Sequence, residues 1–241
     1  MRCLIVSDIH ANWVALEAVL ADAPDFDELW CLGDLVGYGP DPNECVERIQ
    51  EYSCLCLAGN HDWATLGRLD LETFNTDARV ANTWTQSQLT PEARDYLSGL
   101  PTHEERDGFF VAHASPREPV WEYILDANLA CANFPHFDAL VCLVGHTHIP
   151  VVFSLNEEEA HCETLLPPET PLKLGEHRMI INPGSVGQPR DGDPRASYAM
   201  LDLDDMTWEF RRVPYAVEIT QERMRARGLP RRLIDRLAVG R

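Results

Sequence analysis

The chain is predicted to be an α/β protein, and three observations predict it. Short apolar runs alternate with amphipathic stretches through the first half. Beyond residue 149, apolar runs succeed one another across Gly/Pro-rich turns without long helices between them, which suggests antiparallel pairing. The length, 241 residues, suffices for one large core or two small ones. A single domain over 1–241 with an extended second sheet fits this texture better than two separate domains.

Cys3–Val6 is a buried-strand segment, followed by Trp13, Leu16, Val19 and Leu20 at helical spacing behind Asn12, a suitable N-cap. Leu29–Leu32 is the second strand. The helix after Asp41 has Pro42 at its first position and Cys45, Val46 and Ile49 on one face. Cys54–Ala58 is the third strand. Helices are expected near 75–88 and 91–99, the second opened by Thr90-Pro91-Glu92. Strands return at Phe109–Ala112 and Ala139–Val144, with a helix near 126–134 between them. In the second half, strands are expected at Val151–Leu155, His161–Leu165, Met179–Ile181, Ser197–Leu203 and Trp208–Val213. The Glu- and Pro-rich stretch 154–177 reads as a long hairpin or loop. Residues 215–241 form an Arg-rich helical extension, in which 218–241 carry seven Arg against three acids.

Apolar residues make up 45% and charged residues 24%, which excludes disorder, collagen and coiled coil. The charge balance is unusual: 20 Lys and Arg face 39 Asp and Glu, a net charge of −19. Such a chain has no global field to draw in nucleic acid or an anionic membrane, so a phosphate ligand needs a local source of positive charge. No apolar run is long enough for a signal-peptide core or a membrane span, and a cytoplasmic protein is expected. Eight cysteines without a C-x-x-C pair then read as reduced and structural.

Nine histidines occur, and their positions carry the functional signal. Five strand segments end in metal-ligand residue types: Ser7-Asp8-Ile9-His10, Gly33-Asp34, Gly59-Asn60-His61-Asp62, His113, and Gly145-His146-Thr147-His148. In an α/β sheet the carboxyl ends of parallel strands line one edge, where ligands bind. The glycines before Asp34, Asn60 and His146 allow a sharp turn out of the sheet. In Gly145-His146-Thr147-His148 the two imidazoles at i and i+2 are expected on one side of an extended segment. A lone D-x-H or Gly-Asp is a turn or cap more often than a ligand; recurrence at five strand ends makes coincidence the poorer explanation. His103, His136, His161 and His177 lack this context and read as surface or structural residues.

The order D-x-H, G-D, G-N-H-D, strand-end His, G-H-x-H, spread over residues 8–148, resembles the calcineurin-like metallophosphoesterase superfamily. Asn182–Arg190 and Gly33–Pro40 are similar to further signatures of its small bacterial and archaeal phosphodiesterase branch. The resemblance implies a four-layer α/β/β/α sandwich with two mixed β-sheets flanked by helices. It also implies a two-metal site. Asp8, His10, Asp34 and His148 would hold the first ion, with Asp34 bridging to a second held by Asn60, His113 and His146. His61 would assist the leaving group, and Asp62 is expected to orient His61. The mixed nitrogen and oxygen set, without thiolate, suits divalent or trivalent Mn, Fe, Zn, Co or Ni. Two divalent ions against the carboxylates of Asp8 and Asp34 leave a centre of about +2, the local charge that the acidic chain otherwise lacks. Such ions activate a bridging hydroxide for attack on a phosphoester.

The departures narrow the substrate. Ala11 and Ala114 stand where relatives often have Gly. The protein-phosphatase pattern G-D-x-x-D-R-G is replaced by Gly33-Asp34-Leu35-Val36-Gly37-Tyr38-Gly39, without its phosphate-gripping Arg. A small phosphodiester, a nucleotide or a dinucleoside polyphosphate is therefore expected. Arg190, Tyr38 and Asn12 are candidate substrate contacts, although helix capping alone explains Asn12. The alternatives are a catalytically silent protein-binding scaffold, which the intact ligand set disfavours, and a nuclease. The net charge disfavours a nuclease, since the Arg-rich tail would be its only basic track.

Overall fold

Five parallel-running strands deliver the predicted site residues to one edge, and everything else in the fold covers them. The structure, a computed structural model, describes residues 1–156 and 161–241. The first sheet holds β1 (Arg2–Val6), β2 (Glu28–Cys31), β3 (Cys54–Cys56), β9 (Leu172–Lys173), β11 (Ala196–Asp202) and β12 (Thr207–Val213), in the order β3-β2-β1-β11-β12-β9. The second holds β4 (His103–Arg106), β5 (Phe109–Ala112), β6 (Val141–Leu143), β7 (Val151–Asn156), β8 (His161–Leu165) and β10 (Met179–Asn182), in the order β4-β5-β6-β10-β7-β8. β1, β2 and β3 pair in parallel, as do β5, β6 and β10; the remaining pairings are antiparallel.

Alternation along each strand sets the layers. In β1, Cys3 and Ile5 join Trp30, Leu55, Phe109, Val111, Leu143, Ile181 and Trp208 in a core between the two sheets. Leu4 and Val6 face the opposite way, against α1 (Trp13–Asp22), α2 (Pro42–Gln50) and α5 (Pro91–Ser98). On the outer side of the second sheet, Phe110, Cys142, Phe153 and Ile180 pack under α6 (Ala127–Asn133). The expected α/β/β/α sandwich is thus present, with both sheets mixed. Asn12, Asn75, Thr90 and Asp126 each accept a backbone N–H at a helix start, including that of α4 (Thr76–Gln88), which fixes where these helices begin.

Some elements had no usable signal. α3 (Asn60–Thr65) is a single short helix immediately after β3, and β4 is a largely exposed, charged strand, His-Glu-Glu-Arg, without an apolar face. The 154–177 stretch forms the β7/β8 hairpin and then β9; its positions 157–160 lie outside the described residues. The Arg-rich extension forms α7 (Val217–Ala226) and α8 (Arg231–Arg236), docked through Met224, Leu229, Leu233, Ile234 and Leu237 onto Tyr38 and α4. Arg223 pairs with Asp41 at 3.0 Å. Among the described residues, no helix is long and apolar enough to cross a membrane.

One expectation is overturned. Cys131 of α6 and Cys162 of β8 form a disulfide, with Cα atoms 5.6 Å apart, while the other six cysteines are free. The packing of α6 across the outer face of β7 and β8 brings the pair together, a long-range proximity that residue spacing does not encode.

Candidate metal centre

The residues after β1, β2, β3, β5 and β6 converge because their loops are stitched to one another. Asp8 N–H donates to Gly33 C=O, His10 N–H to Asp34 C=O, and Gly145 N–H to His113 C=O, at 2.7–3.0 Å. Val186 and Gly187, from the Asn182–Arg190 segment, donate to Ser7 and Asp8 C=O at 3.0 Å. Asp8, His10, Asp34, Asn60, His61, His113, His146 and His148 are all buried.

The backbone there is unusual. Asp8, His10, Asp34, His146 and His148 all have left-handed φ, between 49° and 66°. Each such residue costs about 1–2 kcal/mol relative to ordinary backbone, and the cross-loop hydrogen bonds hold it. His146 and His148 therefore do not share one side of an extended segment; they turn into different clusters. The glycines also act differently from expectation. Gly33 does need its φ of +102°, but Gly59 and Gly145 have ordinary φ. They are glycine because a Cβ would strike Asp34 and Ser7, respectively.

Two triads result. Asp8, His10 and His148 bring one ligand atom each to a common point, as do Asp34, His113 and His146. In the first, His10 Nε2 and His148 Nε2 lie 3.1 Å apart, and Asp8 Oδ1 is 3.3 Å from His148 Nε2. In the second, His113 Nε2 lies 3.2 Å from His146 Nδ1 and 3.3 Å from Asn60 Oδ1. Asp34 Oδ2 stands between them, 3.6 Å from His10 Nε2 and 3.5 Å from His113 Nε2.

These contacts are poorly explained as hydrogen bonds. His10 Nδ1–H donates to Val36 C=O at 3.2 Å, His148 Nδ1–H to Gln188 C=O at 2.6 Å, and His113 Nδ1–H to Leu32 C=O at 2.9 Å. Tying Nδ1 to a carbonyl leaves the Nε2 lone pair facing inward, the arrangement by which proteins orient metal-binding imidazoles. Asp8 Oδ1 and Asp34 Oδ2 are buried without any hydrogen-bond partner. Metal-ligating atoms converge there, and a cation between them satisfies the orphaned carboxylate oxygens. The residues fit the metal ions that the resemblance implies.

The electrostatics agree. Burial pushes the Asp8 carboxyl up to about 7. Burial acts on Asp34 in the same direction, but the charges of His113, His61 and His10 outweigh it and hold Asp34 below the usual carboxylate range. His113 rises to about 9 despite burial, because of Asp34. Burial drives His10, His146 and His148 well below the ordinary imidazole value.

His61 stands beside the triads. Its backbone N–H donates to Asp34 Oδ1 at 2.8 Å, and its ring packs against Tyr38, with centroids 4.2 Å apart. Asp62 does not orient it. The Asp62 carboxylate accepts from the N–H groups of Gly59, Val36 and Leu35 at 2.8–3.3 Å, locking the Asp34 loop to the start of α3. The orienting residue is Asn82 of α4, whose Oδ1 accepts from His61 Nδ1–H at 2.9 Å. That contact spans 21 positions, and no local motif announces it.

Asn12 is not available to a substrate. Its Oδ1 accepts from Ala15 N–H and Thr220 Oγ1–H, and its Nδ2 donates to Gly187 C=O and Tyr215 Oη. Tyr38 and Arg190 do flank the centre, with the Arg190 guanidinium 5.8 Å from the Tyr38 ring centroid. Two aromatic residues also missed in the sequence lie at its rim. Tyr123 packs on His146 at 3.8 Å, and Trp121 contacts Phe74, which contacts His61. Both are about 40% exposed. A groove of about 870 Å³ lies instead at the opposite strand ends, beside Leu140 and Met179, and holds neither triad. The donors, not the volume, identify the site.

Fold and donor set together define a phosphoester-hydrolase architecture. Residues 1–206 match the calcineurin-like phosphoesterase superfamily domain, and the chain belongs to that superfamily. It is similar throughout to a metallophosphoesterase from Sphaerobacter thermophilus of known crystal structure, with 50% identity, 100% of this chain and 99% of that chain covered, and a TM-score of 0.91. A Methanocaldococcus jannaschii protein, MJ0912, is 40% identical over 98% of this chain and 97% of its own length. The symmetrical bis(5'-nucleosyl)-tetraphosphatase of Glaesserella parasuis is 28% identical over 55% of this chain and 50% of its own.

Proposed function

We propose that the chain is a two-metal phosphoesterase acting on a small phosphodiester, a nucleotide or a dinucleoside polyphosphate, with His61 assisting the leaving group. The observation that carries the reading is the pair of buried Asp/His triads with Asp34 facing imidazoles of both, set directly beside an imidazole that belongs to neither. Bound Mn, Fe, Zn, Co or Ni ions would supply Lewis acidity toward the phosphoryl oxygens and activate water. Asp8, His10, Asp34 and His148 would hold one ion, and Asp34, Asn60, His113 and His146 the other.

The protein's own groups do the rest. Asn82 keeps the His61 proton on Nδ1, so Nε2 is the atom that exchanges a proton with the substrate. Burial lowers the His61 pKa, and an arriving phosphate anion raises it again, placing a proton on Nε2 when a leaving oxygen needs one. Arg190 offers its guanidinium to a phosphoryl oxygen. The exposed faces of Trp121 and Tyr123 suit a planar group such as a nucleobase, and partial similarity to a dinucleoside tetraphosphatase points the same way. The absence of the protein-phosphatase Arg after Asp34 supports a small substrate. A cytoplasmic setting belongs to the same reading.

The test is hydrolysis of bis(p-nitrophenyl) phosphate and of diadenosine tetraphosphate by Mn²⁺-loaded protein. Turnover of at least one is expected. Failure of metal-loaded protein on phosphodiesters, phosphomonoesters and nucleotides alike overturns the reading.

A further inference from the structure

The superfamily domain covers residues 1–206, and α7 and α8 lie beyond it. They supply no member of either triad, yet they are pinned to the body from one end to the other. Thr220 Oγ1–H donates to the buried Asn12 Oδ1 at 2.9 Å, and Arg223 pairs with Asp41. Gln221 Nε2–H donates to Ile234 C=O at 2.8 Å, holding the two helices together. After α8, Gly240 C=O accepts from Gly192 N–H at 2.8 Å, and a Cβ at Gly240 would meet the Asp193 backbone at 2.6 Å. The tail is a fixed wall.

What the wall supports is the surroundings of His61. Met224, Leu233 and Leu237 belong to one buried cluster with Tyr38 and with Ala78 and Ala81 of α4, and Phe74 packs against it. The same elements enclose the imidazole. The Tyr38 and Phe74 ring centroids lie 4.2 and 5.2 Å from that of His61. Asn82, one helical turn from Ala78 on α4, accepts the His61 Nδ1–H at 2.9 Å. The three other apolar clusters contain neither of these rings. Tyr38 also has a left-handed φ of 58°, which a bulky residue keeps only where its surroundings impose it. Its ring packs on both His10 and His61, and Met224 and Leu237 of the tail line a narrow cleft with it. A Cβ at the preceding Gly37 would lie 2.8 Å from His61 Nδ1, so this loop has no slack toward the imidazole.

We propose that α7 and α8 are a positioning element for His61, acting through Tyr38, Phe74 and α4. The inference rests on the phosphoesterase reading and gives the tail a part in it. As a water oxygen bonds to phosphorus and the bond to the leaving oxygen breaks, the proton passes from His61 Nε2 to that leaving oxygen. The transfer needs the imidazole within hydrogen-bond reach, so a small displacement of the ring slows it. The loss is greatest for esters whose leaving group most needs the proton.

The test is Leu233→Ala, which loosens the tail at a residue outside the metal centre, assayed on two diesters. Diphenyl phosphate releases phenol, a poorer leaving group than the p-nitrophenol of bis(p-nitrophenyl) phosphate. Per bound metal pair, turnover of diphenyl phosphate is expected to fall about tenfold more than that of the nitrophenyl ester. Leu233→Met, which keeps the volume, should restore it. With His61→Ala already present, Leu233→Ala should leave the ratio of the two rates unchanged. If Leu233→Ala does not fold, the smaller truncation Leu233→Val is read in the same way. Equal losses on both esters, no loss on either, or the same shift in ratio without His61 overturns the positioning role. Proton NMR of Zn²⁺-loaded protein reads the imidazole without turnover: the His61 Nδ1–H should be protected from exchange in wild type and exchange faster in Leu233→Ala. If wild type cleaves neither ester, the phosphoesterase reading falls; a His61 signal that responds to Leu233→Ala then sustains the positioning, and an unresponsive one overturns it.

Discussion

The two triads are alike in composition and unlike in protonation. Each joins one Asp to two His, yet in the first the carboxyl is pushed up and both imidazoles down, whereas in the second Asp34 stays ionised, His113 is driven up and only His146 is driven down. Position explains the difference. Asp34 faces imidazoles of both triads and accepts the His61 N–H, so its charge is the one the whole centre is built to keep. Asp8 sits at the edge, bonded to Ser7 Oγ–H and His146 N–H. Two sites of equal stoichiometry thus have unequal roles: one residue unites them, and the others serve one triad each.

Asp34→Ala should have the largest effect. Losing the shared carboxylate should empty both triads and abolish turnover, whereas Asp8→Ala should weaken mainly the first; metal content per chain measures both. Next in size is His61→Ala, expected to retain both ions while turnover falls by about 10²–10⁴-fold. Asn82→Ala, which frees Nδ1 without removing the imidazole, should give a smaller loss, on the order of tenfold. Equal losses for the pair would mean that His61 acts only through its packing.

The smallest effect separates the triads by pH. Without ions, His113 carries a proton up to about pH 9, and an ion entering the second triad must displace it. Asp8 loses its proton near pH 7. Affinity at the second triad should therefore keep rising between pH 7 and pH 9, while that at the first levels off above about pH 7. Calorimetry in buffers of different ionisation enthalpy reads the proton release. Identical pH profiles for both binding steps would erase the distinction.

What could be read from the residues was the convergence itself, because strand-end position is a local property. Asp8, Asp34, His113 and Gly145-His146-Thr147-His148 each follow an apolar run, and parallel pairing does the rest. The left-handed backbone of the ligands was not legible, since it comes from hydrogen bonds between loops far apart in sequence, such as Gly187 N–H to Asp8 C=O. Asn82 and Tyr123 escaped for a similar reason: a helix and a loop bring them to the centre, and nothing next to them marks them. Asp62 misled because it adjoins His61 in sequence, yet its carboxylate points back to the backbone of Gly59 and Val36.

The proposed function requires one ion in each triad, with Asp34 reaching both. Anomalous diffraction from Mn²⁺-loaded crystals would locate them. Two peaks are expected, one among Asp8, His10 and His148 and the other among Asp34, Asn60, His113 and His146, with Asp34 touching both. A single peak, or two peaks with Asp34 bound to only one, would contradict it.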